Sequence, residues 1–394
     1  MDQFIQLHKK PALRIIGVMP DRSCDGVDLA FVEIKKSGIQ TNFRLISTYH
    51  QSYSKRQESG ILSLIEQEKI SLKEISHLNF YLAKLWADAI NKMLKKEKIS
   101  QEEIDFISSH GMTFYHQPEG TLFIDRKIAS MLQLGDPAVL AHLTGITTIG
   151  DYRISDLSLT KQEALLGLYV DQILFAKLKR NVLFIKIGSL VDLSFIPADG
   201  RNKKLITYET GPGNLLIDQL MERLYELPYD KGGEKAFLGN FSQKMFDYLR
   251  KIDIYPKIIP VNSTVSKQYG KEFIITLLKW GLRRRISEPD VIHTATRYIG
   301  YKIWQASASM KHSKVDVLYA GGGGSHNTFL MKALADYFAG TEIHKLSEIG
   351  IDEDFKEAIS VAILGNEFIR GNRNNLPGII DNQKPALLGK ICLA

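Results

Sequence analysis

The order of predicted strands and helices indicates a duplicated α/β fold with a cleft between its two halves. Two observations predict this fold. The chain has 394 residues, which is more than one ordinary hydrophobic core organises. Three strands followed by alternating helices and strands occur in the first 150 residues, and a related order begins again near residue 180. Each half is therefore expected to be a mixed sheet with helices on its faces.

The first half begins with an antiparallel meander. Apolar runs separated by polar turns predict its three strands, at 13–19, 27–34 and 42–49. Ser71 and Glu74 have the spacing of a capping box, which predicts a long helix after them. The remaining elements of this half are a buried strand at 104–111, a short helix at 137–144 and a strand at 147–151.

The second half repeats this order after a helix at about 160–179. Its predicted strands lie at 182–188, 190–196, 204–209 and 315–320. Its predicted helices lie at 214–226, 235–251, 270–282 and 290–311, and a further helix begins near Asn327. Only the order of the elements repeats, because the sequence similarity between the halves is faint.

Composition limits the function classes. Hydrophobic residues make up 44% of the chain and charged residues 24%, as in soluble globular proteins. The net charge of +7 comes from dispersed lysines and arginines, so no nucleic-acid partner is expected. Cys24 and Cys392 alone form neither a disulfide framework nor a zinc site. The N-terminus lacks a secretory apolar region and no run could span a bilayer, so we expect a cytoplasmic protein without a membrane partner.

Two polar segments of the first half are candidate ligand contacts. GVMPDRSCDGVD (17–28) is a turn between strands, and its Asp25-Gly26 pair suits either a phosphate-binding turn or an ordinary hairpin. SSHGMTFYHQP (108–118) is expected to place His110, Thr113 and His116 in a polar loop after a strand. Taken alone, His110 and His116 are better explained as hydrogen-bonded loop residues than as ligand contacts.

Two glycine-rich segments lie in the second half. YETGPGN (208–214) has a carboxylate, Glu209, before a glycine-rich turn, and that carboxylate is either a reactive group or one favoured by a helix dipole. YAGGGGSHN (319–327) puts four glycines between a strand and a helix, where bare backbone can approach a nucleotide. Because so many glycines lower stability, contact with a ligand is the favoured interpretation.

The collinear order of these segments resembles the 1,6-anhydro-N-acetylmuramic acid kinases, a family of the sugar-kinase/Hsp70/actin superfamily. The resemblance covers nearly the whole chain and also includes LQLGDPAVLAHLTGI (132–146), Asp151-Tyr152-Arg153, SKQYGKE (266–272) and DEDFKEAISVAILG (352–365). It implies two ribonuclease-H-like lobes with a cleft between them. The N-terminal lobe is expected at 1–150, joined by a helix at 354–371, and a nucleotide-binding lobe is expected at 151–394.

The resemblance implies an enzyme that uses ATP and Mg²⁺ to open 1,6-anhydro-N-acetylmuramate, a cell-wall recycling sugar. In the family, water attacks the anomeric carbon while the opened oxygen attacks the γ-phosphate. Glu209 stands where the family has its catalytic aspartate. The implied sugar contacts are His110, Thr113, Arg153 and Glu357. The implied nucleotide contacts are Arg22, Ser23, Asp25, Gly26, Gly188, Gly211, Gly213, Asn214, Gly322, Gly323, Gly324 and Asn327, with Asp25 also near Mg²⁺. A homodimer is a further implication.

Departures from the family pattern keep other functions open. Pro20-Asp21-Arg22-Ser23 replaces SGTS, so a backbone donor is lost at Pro20, and Arg22 is expected to reach the phosphates instead. KIGSL (186–190) has one glycine fewer than the family element, and LSLTKQEALLGLYV replaces a glycine-rich substrate segment after Asp156. A stretch at 121–130 is extra. The alternatives are a non-catalytic sugar or nucleotide sensor, and an enzyme of this fold with a different substrate.

Overall fold

The computed structural model describes residues 2–20, 24–65, 67, 69–154, 157, 166–199, 205–253, 269–310, 314–376 and 386–394. The chain divides into two compact units. The first unit comprises Met1–Lys177 and Phe355–Ala394, and the second comprises Leu178–Asp354.

Both units contain strands and helices, and each begins its sheet with three consecutive strands. The strands are β1 (Ala12–Pro20), β2 (Gly26–Lys35), β3 (Asn42–Ser52), β4 (Phe106–Ser109), β5 (Met112–Phe123), β6 (Arg126–Leu134), β7 (Thr148–Gly150), β8 (Val182–Ile187), β9 (Leu190–Ile196), β10 (Ile206–Pro212), β11 (Val317–Gly321), β12 (Glu342–Lys345) and β13 (Lys390–Cys392). The helices are α1 (Asp2–Lys9), α2 (Lys55–Ile65), α3 (Leu72–Glu97), α4 (Pro137–Thr144), α5 (Leu166–Phe175), α6 (Asn214–Tyr225), α7 (Glu234–Leu238), α8 (Gln243–Ile252), α9 (Lys271–Leu282), α10 (Glu288–Ser309), α11 (Thr328–Tyr337) and α12 (Lys356–Ile369). Within the described residues, no helix has the length and apolar character needed to cross a membrane.

The first unit contains a six-stranded sheet in the order β13-β7-β4-β1-β2-β3. Strand β2 is antiparallel to both β1 and β3, whereas β4 is parallel to β1 and to β7. Strands β5 and β6 form a separate antiparallel hairpin.

The second unit has a five-stranded sheet in the order β10-β9-β8-β11-β12. Strand β9 is antiparallel to β8 and β10, and β11 is parallel to β8 and β12. In both units the first strand is internal, with an antiparallel pair of strands on one side and two strands parallel to it on the other; in the first unit β13 adds an antiparallel edge beyond β7. This is the ribonuclease-H-like order, so the predicted fold class of two such units is confirmed.

The long helix α3 supplies much of the first unit's core. Its capping box is present, since the Ser71 hydroxyl accepts from the Glu74 amide at 3.2 Å and the Glu74 carboxylate accepts from the Ser71 amide at 3.0 Å. The buried face predicted from the 3.6-residue period packs against β1 and β2, and includes Leu78, Leu82, Trp86 and Ile90.

Helix α12 packs on β1, and a glycine allows the close approach. A Cβ at Gly17 would lie 1.9 Å from the Ala358 carbonyl oxygen, so any side chain there would push the helix off the strand. Residues on both sides of Gly17 in β1 are buried. The helix that carries Glu357 is therefore fixed to the central strand of the sheet.

The predicted continuous helix at 235–251 is wrong. The chain forms α7 and α8 instead, and Gly239 between them is extended. A Cβ at Gly239 would lie 2.1 Å from the Pro289 carbonyl oxygen, because this connection packs against the start of α10. Ser242 then caps α8 by accepting from the Met245 amide.

The sequence boundary at residue 150 differs from the structural division, and so does the assignment of the last residues to the second half. Helix α5 belongs to the first unit because it is tied to α12: Lys356 pairs with Asp171 at 2.5 Å, and the Tyr169 hydroxyl donates to Glu367 at 2.9 Å. The C-terminal strand β13 also belongs to the first unit, since it pairs with β7.

The predicted polar loop at 108–118 is also wrong beyond its first residues. Thr113 and His116 lie in β5, which pairs with β6. The extra stretch at 121–130 forms the end of this hairpin. Two bulges interrupt the pairing, between Thr113 and Tyr115 and between Gln117 and Thr121, and they hide the simple alternation that would indicate strands.

Candidate active site

The KIGSL turn (186–190) and the YETGPGN segment (208–214) of the second unit meet at the start of α6. The Gly213 amide donates to the Ser189 carbonyl oxygen at 2.9 Å, and the Asn214 amide donates to the Gly188 carbonyl oxygen at 2.8 Å. A Cβ at Gly213 would lie only 2.4 Å from the Gly188 oxygen, so this contact requires glycine. The turn after β8 and the N-terminus of α6 therefore form one structure.

The tetraglycine segment after β11 joins the same structure. A Cβ at Gly324 would lie 2.2 Å from Ile187 Cγ2 and 2.8 Å from Asn214 Oδ1, and Gly322 adopts a positive φ of 78°. Gly323 is different, since it is exposed and the nearest atom to a Cβ there is 3.6 Å away. Packing thus explains Gly324, whereas Gly323 presents bare backbone at the surface.

Asn327 begins helix α11 and acts as its cap. Its Oδ1 accepts from the Leu330 amide at 3.0 Å, and the residue is buried. This use of the side chain is structural.

The turn at 231–233 lies beside Asn327 and is not among the predicted site residues. A Cβ at Gly233 would lie 2.5 Å from Asn327 Oδ1, and Gly233 has a positive φ of 81°. Asp230 holds the turn, because its carboxylate accepts from the Lys235 amide at 2.8 Å and the Ala236 amide at 3.0 Å. The Asp-x-Gly-Gly pattern at 230–233 is typical of a tight turn and could have indicated this segment from the sequence.

Glu209 lies in strand β10 and not in the first turn of a helix, so the helix-dipole explanation for this carboxylate does not apply. It is buried, with 6% of its surface exposed. A bulge follows it, since Glu209 is opposite Asp192 while Gly211 is opposite the preceding residue, Val191. The intervening Thr210 is buried, and its hydroxyl has no hydrogen-bond partner among the described residues. Bulges of this kind redirect side chains at the ends of strands.

His110 and Arg153 are in direct contact in the first unit. Arg153 Nε donates to His110 Nε2 at 3.1 Å, and His110 Nδ1 lies 2.9 Å from the Gly111 carbonyl oxygen. Arginine can only donate, so Nε2 is the acceptor and Nδ1 carries the proton. His110 is therefore a neutral imidazole in this arrangement.

Two polar atoms beside His110 have no hydrogen-bond partner among the described residues, namely Ser109 Oγ and Gln133 Oε1. The Gln133 amide nitrogen donates to the His110 carbonyl oxygen at 2.9 Å, and Thr113 is opposite Gln133 in the hairpin. Buried polar atoms without partners are costly in a folded protein. This polar group is thus suited to a ligand that carries hydroxyl or amide groups.

Glu357 lies in the first turn of α12 beside a buried ion pair. Lys356 and Asp171 are each less than 5% exposed, and Lys356 Nζ lies 3.8 Å from Glu357 Oε1.

The first turn is only partly described. Arg22 and Ser23 lie outside the described residues. Asp25 is exposed, and its carbonyl oxygen accepts from the Tyr53 amide at 2.7 Å. Gly26 is buried against β3, where a Cβ would lie 2.6 Å from the His50 ring, so packing accounts for this glycine. Among the described residues, no group of three His, Cys, Asp or Glu side chains could hold a metal ion.

Comparison with known proteins decides the family. A family model described as anhydro-N-acetylmuramic acid kinase matches residues 13–394. The chain belongs to the anhydro-N-acetylmuramic acid kinase family.

Curated relatives in this family match along the whole chain. The anhydro-N-acetylmuramic acid kinase of Caldanaerobacter subterraneus subsp. tengcongensis is 32% identical over 397 residues and covers 100% of both chains. That of Bacillus cereus strain Q1 is 33% identical over 383 residues, or 96% of this chain and 98% of its own. The resemblance inferred from the motifs is confirmed.

Among solved structures, the activator of the 2-hydroxyisocaproyl-CoA dehydratase from Clostridium difficile aligns with 91% of this chain and 96% of its own, with a TM-score of 0.46 and 10% identity. The strand order of each unit is the basis for the fold assignment of this kinase-family chain.

Proposed function

We propose that the protein is an ATP-dependent kinase that opens 1,6-anhydro-N-acetylmuramate with water and phosphorylates the released oxygen. The observation that carries this proposal is the meeting of Gly188, Gly213 and the tetraglycine segment around Asn214, in a chain of the anhydro-N-acetylmuramic acid kinase family. No specific observation on the described residues favours the two alternatives, a non-catalytic sensor or an enzyme of this fold with a different substrate.

The glycine group suits a nucleotide. The positive end of the α6 dipole lies at this group of glycines and favours phosphate, while the Gly213 and Asn214 amides are used to hold the turn after β8. Gly188 and Gly323 leave room above their backbone, so a ligand can approach closely. Mg²⁺ supplies charge neutralisation in such reactions and is held mainly by phosphates and water, so a three-residue protein site is not required. Asp25 is the proposed carboxylate near the ion.

On the sugar side, Glu209 is the proposed base that takes a proton from the attacking water. Glutamate places its carboxylate about 1.5 Å further from the backbone than the family's aspartate, and the bulge at Thr210 is where the chain can adjust for this difference. In the first unit, the neutral His110, Arg153 and Thr113 are proposed to bind the sugar, together with Glu357. The unsatisfied atoms of Ser109 and Gln133 support a hydroxyl-rich ligand there.

The test is turnover of 1,6-anhydro-N-acetylmuramate with MgATP, followed by release of ADP and by mass spectrometry of the sugar 6-phosphate. Glu209→Gln is expected to lower kcat about a thousandfold, since general-base catalysis contributes on that scale. Glu209→Asp restores the family residue and is expected to stay within about tenfold of the wild type. The exposed Glu222→Gln in α6 is the matched control.

Two results would contradict the proposal. If Glu209→Gln turned over as fast as the wild type, Glu209 would not be the base. If the wild type bound ATP and sugar without turnover, the protein would be a sensor.

The proposal also includes a cytoplasmic location, a role in cell-wall sugar recycling and a homodimer. Deletion of the gene should cause the anhydro sugar to accumulate in the cytoplasmic fraction, and sedimentation should report the mass of two chains. Absence of accumulation would reject the recycling role.

A further inference from the structure

The β5–β6 hairpin ends in three apolar side chains that are largely exposed among the described residues. Leu122, Phe123 and Ile124 are 78%, 65% and 86% exposed. Phe123 pairs with Arg126, so the turn consists of Ile124 and Asp125. Single exposed apolar residues are common on protein surfaces, but three consecutive ones at a projecting turn indicate an interaction site.

The backbone of the turn is strained. Ile124 has a φ of 58°, a conformation that is unfavourable for a β-branched residue. The first position of such a two-residue turn, with one positive φ, strongly favours glycine. The hairpin thus keeps an exposed isoleucine where glycine would be more stable. Ile124 is 86% exposed, so packing against the described residues does not compensate for this choice, which favours a role of the side chain in an intermolecular contact.

The same unit carries an apolar pocket between α2 and α3. Its cavity volume is about 560 Å³, and it is lined by Leu64, Leu78, Phe80 and Tyr81, with Glu74 and Lys84 among its polar residues. Phe80 and Tyr81 are more than 40% exposed. A cavity of this size accommodates a cluster of two or three large apolar side chains.

The hairpin tip cannot fill this pocket in its own chain. Strand β6 is anchored near α3, where the Gly135 amide donates to Asn79 Oδ1 at 2.8 Å. From Leu134 to Arg126 the strand extends roughly 27 Å at about 3.4 Å per residue. The tip is exposed at the far end of this arm, so it does not reach the pocket of its own chain.

We propose that the hairpin tip of one copy inserts into the α2–α3 pocket of a second copy, and that the exchange is reciprocal about a two-fold axis. A two-fold interface requires each chain to carry both complementary surfaces, and this chain does. The charges agree, since Asp125 and Arg126 at the tip can meet Lys84 and Glu74 at the pocket. Two tips in two pockets would bury on the order of 1,200 Å², the lower range for a specific dimer.

This inference gives an interface to the homodimer of the proposed function but is independent of the kinase chemistry. Sedimentation velocity and light scattering over a range of concentrations, on the full-length protein, measure dimer dissociation. Phe123→Ser is expected to weaken the dimer about a hundredfold, because each change affects both copies. Leu282→Ser, which alters a residue 78% exposed in the second unit, is the control and should leave the dimer unchanged.

Ile124→Gly separates this inference from a purely structural role. Relief of the positive φ should raise the melting temperature of the protein, while loss of the side chain should weaken the dimer by about tenfold. A variant in which both stability and association rise, or in which association is unchanged, would overturn the proposal.

Crosslinking identifies the occupant. Cys24 and Cys392 are buried, so a benzophenone-maleimide attached to Phe123→Cys labels the tip selectively. The expected product is a crosslinked dimer whose second peptide lies within 64–84. A crosslink to any other region, a wild type that is monomeric at every concentration, or a monomer that binds anionic lipid vesicles through its tip would each overturn the proposal. Sugar-kinase turnover, measured separately, distinguishes failure of this interface from failure of the proposed function.

Discussion

Asp218 is expected to make the stability of the protein fall as the pH rises towards neutrality. It lies on α6, one helical turn after Asn214, and forms no hydrogen bond or ion pair with the described residues. Burial raises the pKa of its carboxyl from 3.8 to about 7, because the charged form is poorly solvated there. The folded state thus keeps a proton that the unfolded chain releases.

The sign follows from proton linkage. Because the folded pKa is raised, the stabilising effect of the protonated form is complete below pH 4 and is lost as the pH rises to about 7. A difference of this size corresponds to about 4 kcal/mol of unfolding free energy. Asp218→Asn removes the ionisable carboxyl group and keeps the size and shape of the side chain. The free energy of unfolding of the variant, relative to that of the wild type, should therefore rise by about 4 kcal/mol between pH 4 and pH 8.

Urea unfolding of both proteins across this pH range measures the difference, in which the other titrating groups cancel. Asp247→Asn, an exposed change on the neighbouring α8, is the control and should shift stability by less than about 0.5 kcal/mol at every pH. A difference between Asp218→Asn and the wild type that stays constant with pH would refute the reasoning.

Three further predictions concern packing and buried charge. Gly324→Ala should destabilise the protein by about 2 kcal/mol in thermal unfolding, because its Cβ would lie 2.2 Å from a side-chain carbon of Ile187. Gly323→Ala should leave stability unchanged and raise the KM for ATP in kinetic assays. Equal destabilisation by the two variants would contradict this. Glu367→Gln should cost about 2 kcal/mol in urea unfolding, since the fully buried carboxylate accepts from several donors, and an unchanged midpoint would contradict that role. Lys302→Met should cost about 3–5 kcal/mol, because it removes the cation that lies 3.1 Å from Asp253, a carboxylate only 1% exposed. The double variant with Asp253→Asn should recover part of this loss in urea unfolding, and its failure to do so would argue against charge burial as the cause.

Local signals predicted most elements of the fold. The capping box at Ser71 and the 3.6-residue spacing of apolar residues located α3, and α4 and β7 also lie where the sequence predicted a short helix and a strand. Where the sequence failed, tertiary contacts had overridden the local pattern. The break at Gly239 depends on packing against Pro289, which lies far along the chain.

The candidate site shows the same division. Glu209 and the glycine segments are visible in the sequence as types of residue that phosphoryl transfer needs. The sequence does not show which glycines are needed for packing and which leave backbone accessible. Gly323 and Gly324 are adjacent and identical, and they differ only in the atoms packed against them in the folded protein. The neutral state of His110 likewise depends on Arg153, a residue beyond the intervening hairpin and α4.

By itself, the sequence determined the family, the repeated order of strands and helices, and the residue types available for chemistry, because periodicity, caps and motifs are properties of neighbouring residues. The tertiary structure alone decided which distant segments meet, where the two units divide, and which polar groups are buried without partners. These depend on contacts between residues that are far apart in the sequence, such as Lys356 with Asp171 and β13 with β7, and no local pattern specifies them.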